Sequence, residues 1–288
     1  MSSRGQAHAP TTAKGKVDSK SRRPDADEAD QVLVCRAATL RRAEYQFYRM
    51  VLLTFLASGE PPDRAALRRF ARRHAVPLEA TLDRMSEQDL IQREPTTGTI
   101  RAAYPFSGVP TAHRVMLSAD PTPDATHADA SSSAGGDPVH LYAMCALDAL
   151  GIPLMLQRDA LVTSVDALTG EALQVAIRRV GSARIDSGAG NEQRSTASLD
   201  GWVAHWEPAT VVVFARPDEH ECEGGVAAGS CCPLTNFFVT REHAERWAEA
   251  HGSAEDVILA QDEALRRASA LFAGVLDRLN ETTRRLRL

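Results

Sequence analysis

The chain has 288 residues, of which 43% are hydrophobic and 25% are charged, and its formal net charge is -5 at pH 7. These values are typical of a folded globular protein, and the length allows one large domain or two smaller ones. Because affinity for nucleic acids depends on basic surface that neutralises phosphates, this charge balance argues against a nucleic-acid partner for the whole chain.

The first thirty residues combine Lys, Arg, Ser, Pro and Asp with almost no large apolar side chain. Such a composition cannot bury enough apolar surface to offset the loss of chain entropy, so we expect a disordered tail over residues 1–30. No stretch suits a secretory signal, and the most apolar run, residues 141–156, is too short for a membrane span and is interrupted by Gly151 and Pro153. We therefore expect a cytoplasmic protein with no membrane partner.

Residues 31–105 carry the pattern of three helices followed by a pair of short strands. Apolar side chains recur at near-helical intervals, and breaks at Gly59 and Pro77 divide the pattern. The predicted helices cover residues 31–57, 63–74 and 78–91, and the predicted strand pair covers residues 91–104 around Pro95 and Gly98. This order predicts a winged-helix-like module.

The third of these helices is the one that would enter a DNA groove, but it is acidic. Its carboxylates outnumber its arginines, so phosphate would repel it: Glu79, Asp83, Glu87 and Asp89 stand against Arg84 and Arg93. The preceding helix carries a basic cluster, which is best interpreted as a solvated charged face: Arg68, Arg69, Arg72 and Arg73. We therefore predict a structural or substrate-gating module that binds no nucleic acid.

Residues 106–288 are predicted to form a core of mixed β-sheet with flanking helices, which makes the fold class α+β. A segment rich in Asp, Ala, Ser, Pro and Gly predicts a flexible insertion at residues 120–137. Strands are predicted at residues 113–117, 160–165, 171–177, 210–215, 237–239 and 257–260. Helices are predicted at residues 139–150, 240–252 and 262–287.

Asp148 is the only charged residue of the run LYAMCALDALGIPLML at residues 141–156. At helical spacing it shares an apolar stripe with Leu141 and Cys145, so its carboxylate is predicted to face inward. Burial without a cationic partner penalises the charged form, and we expect a raised pKa for this carboxyl group. Near the C-terminus of the predicted helix Asp148 would oppose the helix dipole, so no capping role is expected. Cys145 alone would be interpreted as a small buried hydrophobe, but with Asp148 it forms a thiol and acid pair.

A pair of adjacent cysteines lies in the segment SCCPLTNFF, between a Gly-rich approach and a predicted buried strand. The chain has an odd number of cysteines with no repeating framework, and these would stay as thiols in a reducing compartment: Cys35, Cys145, Cys222, Cys231 and Cys232. A zinc site formed by His220, Cys222 and the adjacent pair is an alternative, although the spacing lacks the usual paired CxxC form.

Two motifs resemble those of the organomercurial lyases, also called alkylmercury lyases. YAMCALDALGIP is similar to the YAWCALDTL-type motif of that family, and SCCPLTNFF, followed by a helix containing Trp247, is similar to its cysteine motif ending in two phenylalanines. The segments YPFSGVPTAHRV and TSVDALTG also occur in the family's order. The resemblance covers roughly residues 53–260, and alignment on Phe237 and Phe238 makes Cys232, rather than Cys231, the second catalytic cysteine.

The resemblance implies a reaction and the residues that perform it. Thiolates of Cys145 and Cys232 would bind the mercury of a substrate R–Hg–X, and Asp148 would protonate the carbon to release R–H and Hg(II). The same three residues would hold the mercury of substrate and product, and no organic cofactor would be needed. The implied partners are the organomercurial, low-molecular-weight thiols and a mercuric reductase that receives Hg(II).

Two positions depart from the family pattern. Met144 stands where the family has Trp before the first catalytic cysteine, and this softer side chain would widen the pocket. Asp166 stands where the family has a third cysteine, usually regarded as structural. Two alternatives stay open: a winged-helix regulator that senses metal or thiol oxidation through Cys231 and Cys232, and a family member that binds metal without turnover.

Overall fold

The structure is a computed structural model that describes residues 40–118, 138–180, 195–216, 232–253, 256–272 and 275–276. Within these ranges the helices are α1 Arg42–Ser58, α2 Arg64–Arg73, α3 Leu78–Glu87, α4 Ala146–Leu156, α5 Arg241–His251 and α6 Gln261–Phe272. The strands are β1 Ile91–Arg93, β2 Ile100–Ala103, β3 Phe106–Ser107, β4 Arg114–Leu117, β5 Val139–Ala143, β6 Ala160–Val165, β7 Ala172–Arg179, β8 Ser195–Leu199, β9 Trp202–Glu207, β10 Val212–Ala215, β11 Asn236–Phe238 and β12 Val257–Leu259. The predicted tail at residues 1–30 and insertion at residues 120–137 lie outside the described residues.

The strands form two sheets. Nine of them lie in the order β1-β2-β3-β5-β4-β6-β7-β9-β8, and the other three in the order β11-β10-β12. Every strand pair in the described ranges is antiparallel. The α+β class is therefore confirmed, but the prediction of a mixed sheet is wrong. Parallel neighbours need crossover connections, whereas pairs such as β6 with β7 and β8 with β9 are joined by tight turns.

The three predicted N-terminal helices are present, but the strand pair that follows them is not a separate wing. α1 begins after Arg41, whose backbone N–H donates to the Glu44 side chain at 2.9 Å, and it ends at Gly59 in the left-handed region, at φ 75°. β1 pairs with β2, and β2 also pairs with β3, so the two strands form the edge of the nine-stranded sheet. The winged-helix interpretation and the domain boundary near residue 105 stay predictions.

The prediction of a helix over residues 139–150 is wrong, because this segment is a strand followed by a helix. In β5, Leu141 and Ala143 are buried while His140 is exposed, and Leu141 pairs with Val115 of β4. α4 then begins at Ala146 and continues through Pro153 to Leu156. When a strand and the helix after it are both buried, the sequence is a continuous run of apolar residues with no periodicity. The position of the change from strand to helix could therefore not be predicted from the sequence.

The predicted hairpin, the later strands and the helix near residues 240–252 are confirmed, and one hairpin was missed. Of the helix predicted at residues 262–287, the structure describes α6 Gln261–Phe272, and most of the remainder lies outside the described residues. β6 and β7 form the predicted hairpin, and α5 has Thr240 as its N-cap, with the Thr240 hydroxyl accepting the His243 N–H at 3.2 Å. The missed hairpin is β8 with β9, which turns at Gly201 with φ 75°. Its Asp-Gly dipeptide between alternating apolar residues is a recognised hairpin signal that our interpretation did not use.

α4 is enclosed on nearly all sides. All of its residues except Leu156 are buried, and it packs against α6 and against β4, β5 and β6. A Cβ atom on Gly151 would lie 2.1 Å from Cδ2 of Phe272 in α6, so only glycine permits this close approach. The apolar run therefore forms part of a protein core. Among the described helices, none has both the length and the apolar character required to cross a membrane.

Gly151→Ala should lower the free energy of unfolding by about 1–3 kcal/mol, because the added methyl group overpacks α4 against the Phe272 ring. Chemical denaturation of the full chain measures this. The double variant, which also carries Phe272→Leu, should lose less stability than the sum of the losses of the two single variants. Strict additivity of the two changes would show that the Phe272 contact is not the cause.

Candidate functional site

Two cysteines and one aspartate meet in the interior of the described structure. A sulfur from each of Cys145 and Cys232 and a carboxylate oxygen of Asp148 all lie within 4.8 Å of one another. The three residues are 4%, 6% and 2% exposed, respectively, and both cysteines are free thiols. These are the three residues that the sequence analysis selected, and the structure brings them together.

The position of Cys145 follows from the change of strand to helix. Cys145 is the N-cap of α4, with an extended backbone at φ -148° and ψ 179°, and its sulfur accepts the backbone N–H of Asp148 at 3.4 Å. The two side chains are close together, as predicted, but their position in the helix differs from the prediction. Asp148 lies in the first turn of α4 and not near a helix C-terminus. In a first turn the helix dipole favours a negative charge instead of opposing it.

Cys232 comes from a distant part of the chain and faces the other two residues. Its sulfur lies 3.8 Å from Oδ2 of Asp148. The backbone carbonyl of Thr235 accepts the N–H of Ala146 at 3.1 Å, which joins this segment to the start of α4. Farther on, the ring of Phe237 in β11 meets that of buried His113 edge to face, with 5.6 Å between centroids. These contacts hold the second thiol against the first.

Burial dominates the electrostatics of the three groups. It raises the pKa of Asp148 to about 7, while hydrogen bonds with Cys145 and Cys232 lower this pKa in part and the Asp89 carboxylate raises it. The prediction of a raised pKa for this carboxyl group is confirmed. Burial also raises the pKa of the Cys145 thiol to about 11, and the hydrogen bond with Cys232 opposes that rise. The carboxyl group can therefore hold or release a proton near neutral pH.

Two residues near the site were missed by the sequence analysis. The hydroxyl of Tyr104, between β2 and β3, lies 3.0 Å from the sulfur of Cys232. Burial, followed by the charges of Cys232 and Asp148, holds the pKa of this hydroxyl well above its usual range. Asp89 is 2% exposed between α3 and β1, although the sequence placed it on the acidic surface of a helix. No local pattern signals either role, since both depend on contacts between distant segments.

The remaining candidates lie elsewhere or outside the described residues. Cys35, Cys222, Cys231 and His220 are all outside, so the structure does not test the zinc alternative. Met144 precedes Cys145 and is partly buried against the core.

Asp166 takes no part in the cluster and instead ties the β6–β7 hairpin to the start of α5. Its Oδ2 accepts the Val239 N–H at 2.7 Å and lies 2.7 Å from Nδ1 of His243, while Oδ1 accepts the N–H groups of Leu168 and Thr169. Burial alone would raise the pKa of Asp166, but these hydrogen bonds together lower it. An ionised aspartate therefore makes the structural connection at this position.

Comparisons with known proteins place this arrangement in a family. The family model described as alkylmercury lyase matches residues 106–189 and 182–273, which is more than half of the chain. A solved structure, the mercury-bound form of MerB2, is similar in fold, with a TM-score of 0.58 and 19% sequence identity over 85% of this chain and 97% of that chain. No curated protein matches the sequence.

Asp148→Asn should change how stability depends on pH. The unfolded carboxyl group ionises near pH 3.8, whereas the folded one keeps its proton to about pH 7, so ionisation favours unfolding as the pH rises between these values. The wild-type chain should therefore lose up to about 4 kcal/mol relative to Asp148→Asn from pH 4 to pH 7, with no further relative change below pH 4. Denaturant unfolding at a series of pH values measures this difference. Parallel pH profiles of the two proteins would mean that folding does not shift the pKa of Asp148.

Proposed function

The chain belongs to the alkylmercury lyase family, and on that basis we propose that it cleaves the carbon–mercury bond of an organomercurial R–Hg–X to give R–H and Hg(II). The observation that carries the proposal is the convergence of two buried sulfurs and one buried carboxyl group within 4.8 Å. Soft metals select thiolate ligands, so the two sulfurs suit mercury as the substrate metal. The carboxyl group supplies what the two thiols alone lack, which is a proton donor for carbon.

The first step is ligand exchange at mercury. The sulfur of Cys145 or Cys232 donates an electron pair to mercury as its thiol gives up its proton, and X leaves with the electron pair that bound it and with that proton, as HX. The second thiol then gives its proton to the Asp148 carboxylate, and its sulfur becomes a further mercury ligand. The sulfur of Cys232 lies 3.8 Å from Oδ2 of Asp148, and the sulfur of Cys145 lies within 4.8 Å of an oxygen of the same carboxyl group, so both thiols are near the group that takes up this proton.

Protonation of carbon completes the reaction. Two sulfur ligands increase the electron density on the mercury-bound carbon, and the electron pair of the carbon–mercury bond takes the proton from Asp148 and leaves as R–H. Proton transfer from a positioned side chain typically contributes about 10²- to 10⁴-fold to the rate. The raised pKa of Asp148, about 7, lets the same group accept a proton from a thiol and return it to carbon near neutral pH.

The product stays on the protein as Hg(II) held by the two sulfurs, with Asp148 as a weak third ligand. Low-molecular-weight thiols or a mercuric reductase then remove it, and the reaction requires no organic cofactor. In this proposal residues 106–288 form the catalytic core. The module at residues 31–105 has a structural or substrate-gating role, and its helices support the edge of the sheet beside the site.

A headspace assay tests the activity directly. The full chain with excess thiol should release methane from methylmercury or benzene from phenylmercury. Cys145→Ser and Cys232→Ser should each abolish release, because a single sulfur cannot provide the two ligands that activate the carbon. Cys231→Ser is the matched control for the neighbouring position and should retain most of the activity. An inactive Cys231→Ser with an active Cys232→Ser would assign the second thiol to Cys231.

Asp148→Asn should separate binding from cleavage. The amide keeps much of the shape of the carboxyl group but cannot protonate carbon, so the organomercurial should bind through the thiols and stay uncleaved. Hydrocarbon release should fall by about 10²-fold or more. Intact-mass measurement should find the organic group still on the protein. Cleavage at the wild-type rate would mean that the proton comes from another group.

A further inference from the structure

We propose that Tyr104 is a positioning residue of this site, one that donates a hydrogen bond to the sulfur of Cys232 and fixes that sulfur in the orientation that binds mercury. The hydroxyl oxygen lies 3.0 Å from Sγ of Cys232, and the tyrosine is only 6% exposed. The inference rests on the proposed function, since it gives the hydrogen bond a role in binding mercury and releasing hydrocarbon.

The direction of the hydrogen bond follows from the chemistry of the two groups. A cysteine sulfur that has bound mercury carries no proton, so it can only accept. A phenol has one O–H to donate and is neutral near pH 7. Tyr104 can therefore keep its hydrogen bond to Cys232 before mercury binds, while mercury is bound and after the organic group has left. A bond that persists through every state serves to hold the sulfur in position.

The backbone of Tyr104 is fixed from the N-terminal module. Its N–H donates to the carbonyl of Leu90 at 3.3 Å, and its carbonyl accepts the hydroxyl of Tyr48 in α1 at 3.3 Å. Both partners lie before residue 105, and the match to the family model begins at residue 106. Tyr104 thus brings to the site a contact from a part of the chain that the family model does not cover.

The hydrogen bond matters because the two sulfurs must reach one mercury atom. A cysteine side chain has three staggered rotamers, and only an orientation toward Cys145 and Asp148 makes both ligands available. The sulfur of Cys232 meets Oδ2 of Asp148 at 3.8 Å and the hydroxyl of Tyr104 at 3.0 Å, and it is also hydrogen-bonded with Cys145. The contact with Tyr104 is shorter than that with Asp148, and it restricts the rotamer of Cys232. Small errors in the position of a reacting group can cost about 10²-fold in rate.

Tyr104→Phe is the direct test, because it removes the hydroxyl and keeps the ring. Single-turnover release of benzene from phenylmercury should fall by about 10- to 100-fold, with kcat affected more than KM. Tyr45→Phe is a matched control, since Tyr45 is also 6% exposed and lies in α1. It should stay within about threefold of the wild type. Equal rates for Tyr104→Phe and the wild type would overturn the proposal.

A second measurement needs no turnover. The chain has four tyrosines, and Hg(II) binding to Cys232 should perturb the near-ultraviolet absorption of Tyr104 alone among them. The tyrosine bands of the difference spectrum on titration with Hg(II), separated from the mercury–thiolate charge-transfer absorption, should therefore disappear in Tyr104→Phe and persist in Tyr45→Phe and Tyr142→Phe. If Tyr104→Phe does not fold, persistence of the bands in the other two variants still excludes Tyr45 and Tyr142 as their source and supports the contact with Tyr104. Loss of the tyrosine bands in either of those two variants, or a wild-type chain without them, would refute the contact.

The two measurements separate this inference from the proposed function. If the wild-type chain releases no hydrocarbon but shows the tyrosine signal, the proposed lyase activity is wrong. Tyr104 would then be a contact of a mercury-binding thiol and would have no role in a reaction. If the wild-type chain releases hydrocarbon and Tyr104→Phe is as fast as the control, the lyase activity is supported and the proposed role of Tyr104 is wrong.

Discussion

The site depends on the junction between β5 and α4. A buried carboxyl group without a cationic partner is costly, and the chain offsets this cost by placing Asp148 in the first turn of a helix, where backbone N–H groups and the helix dipole favour negative charge. The same junction makes Cys145 the N-cap. The hydrogen bond from the Ala146 N–H to the Thr235 carbonyl then fixes the segment that carries Cys232 against this helix start. One strand-to-helix junction therefore sets the geometry of all three groups.

The rest of the fold supports that junction. Close packing of Gly151 against Phe272 holds α4 in place, and β4 with β6 continues the sheet on the far side of β5. The N-terminal module contributes Asp89, from the turn after α3, and the Tyr48 hydrogen bond that holds Tyr104, so it adds polar groups near the reactive ones as well as apolar support. Asp166 makes the remaining connection, between the β6–β7 hairpin and α5. The four hydrogen bonds of its carboxylate make this connection without the cysteine that the family usually has at this position.

The sequence predicted which residues meet at the site better than it predicted their local structure. Asp148 was found because it is the only charge in an apolar run, and Cys232 was chosen over Cys231 by resemblance to a family that the comparisons then confirmed. The strand-to-helix junction was not found, since the spacing of apolar residues cannot distinguish a strand from a helix when both are buried. Tyr104 could not be found either, because its contact with Cys232 joins residues 128 positions apart.

The most direct test of the central claim, that a thiol-bound organomercurial is cleaved by a proton from an acid in the site, is the isotopic composition of the hydrocarbon. In D₂O the thiols and the carboxyl group of Asp148 exchange their protons for deuterons. The account predicts that methylmercury yields monodeuterated methane, with one Hg(II) left on each protein chain. Methane without deuterium, or ethane formed by joining two methyl groups, would contradict protonolysis at this site.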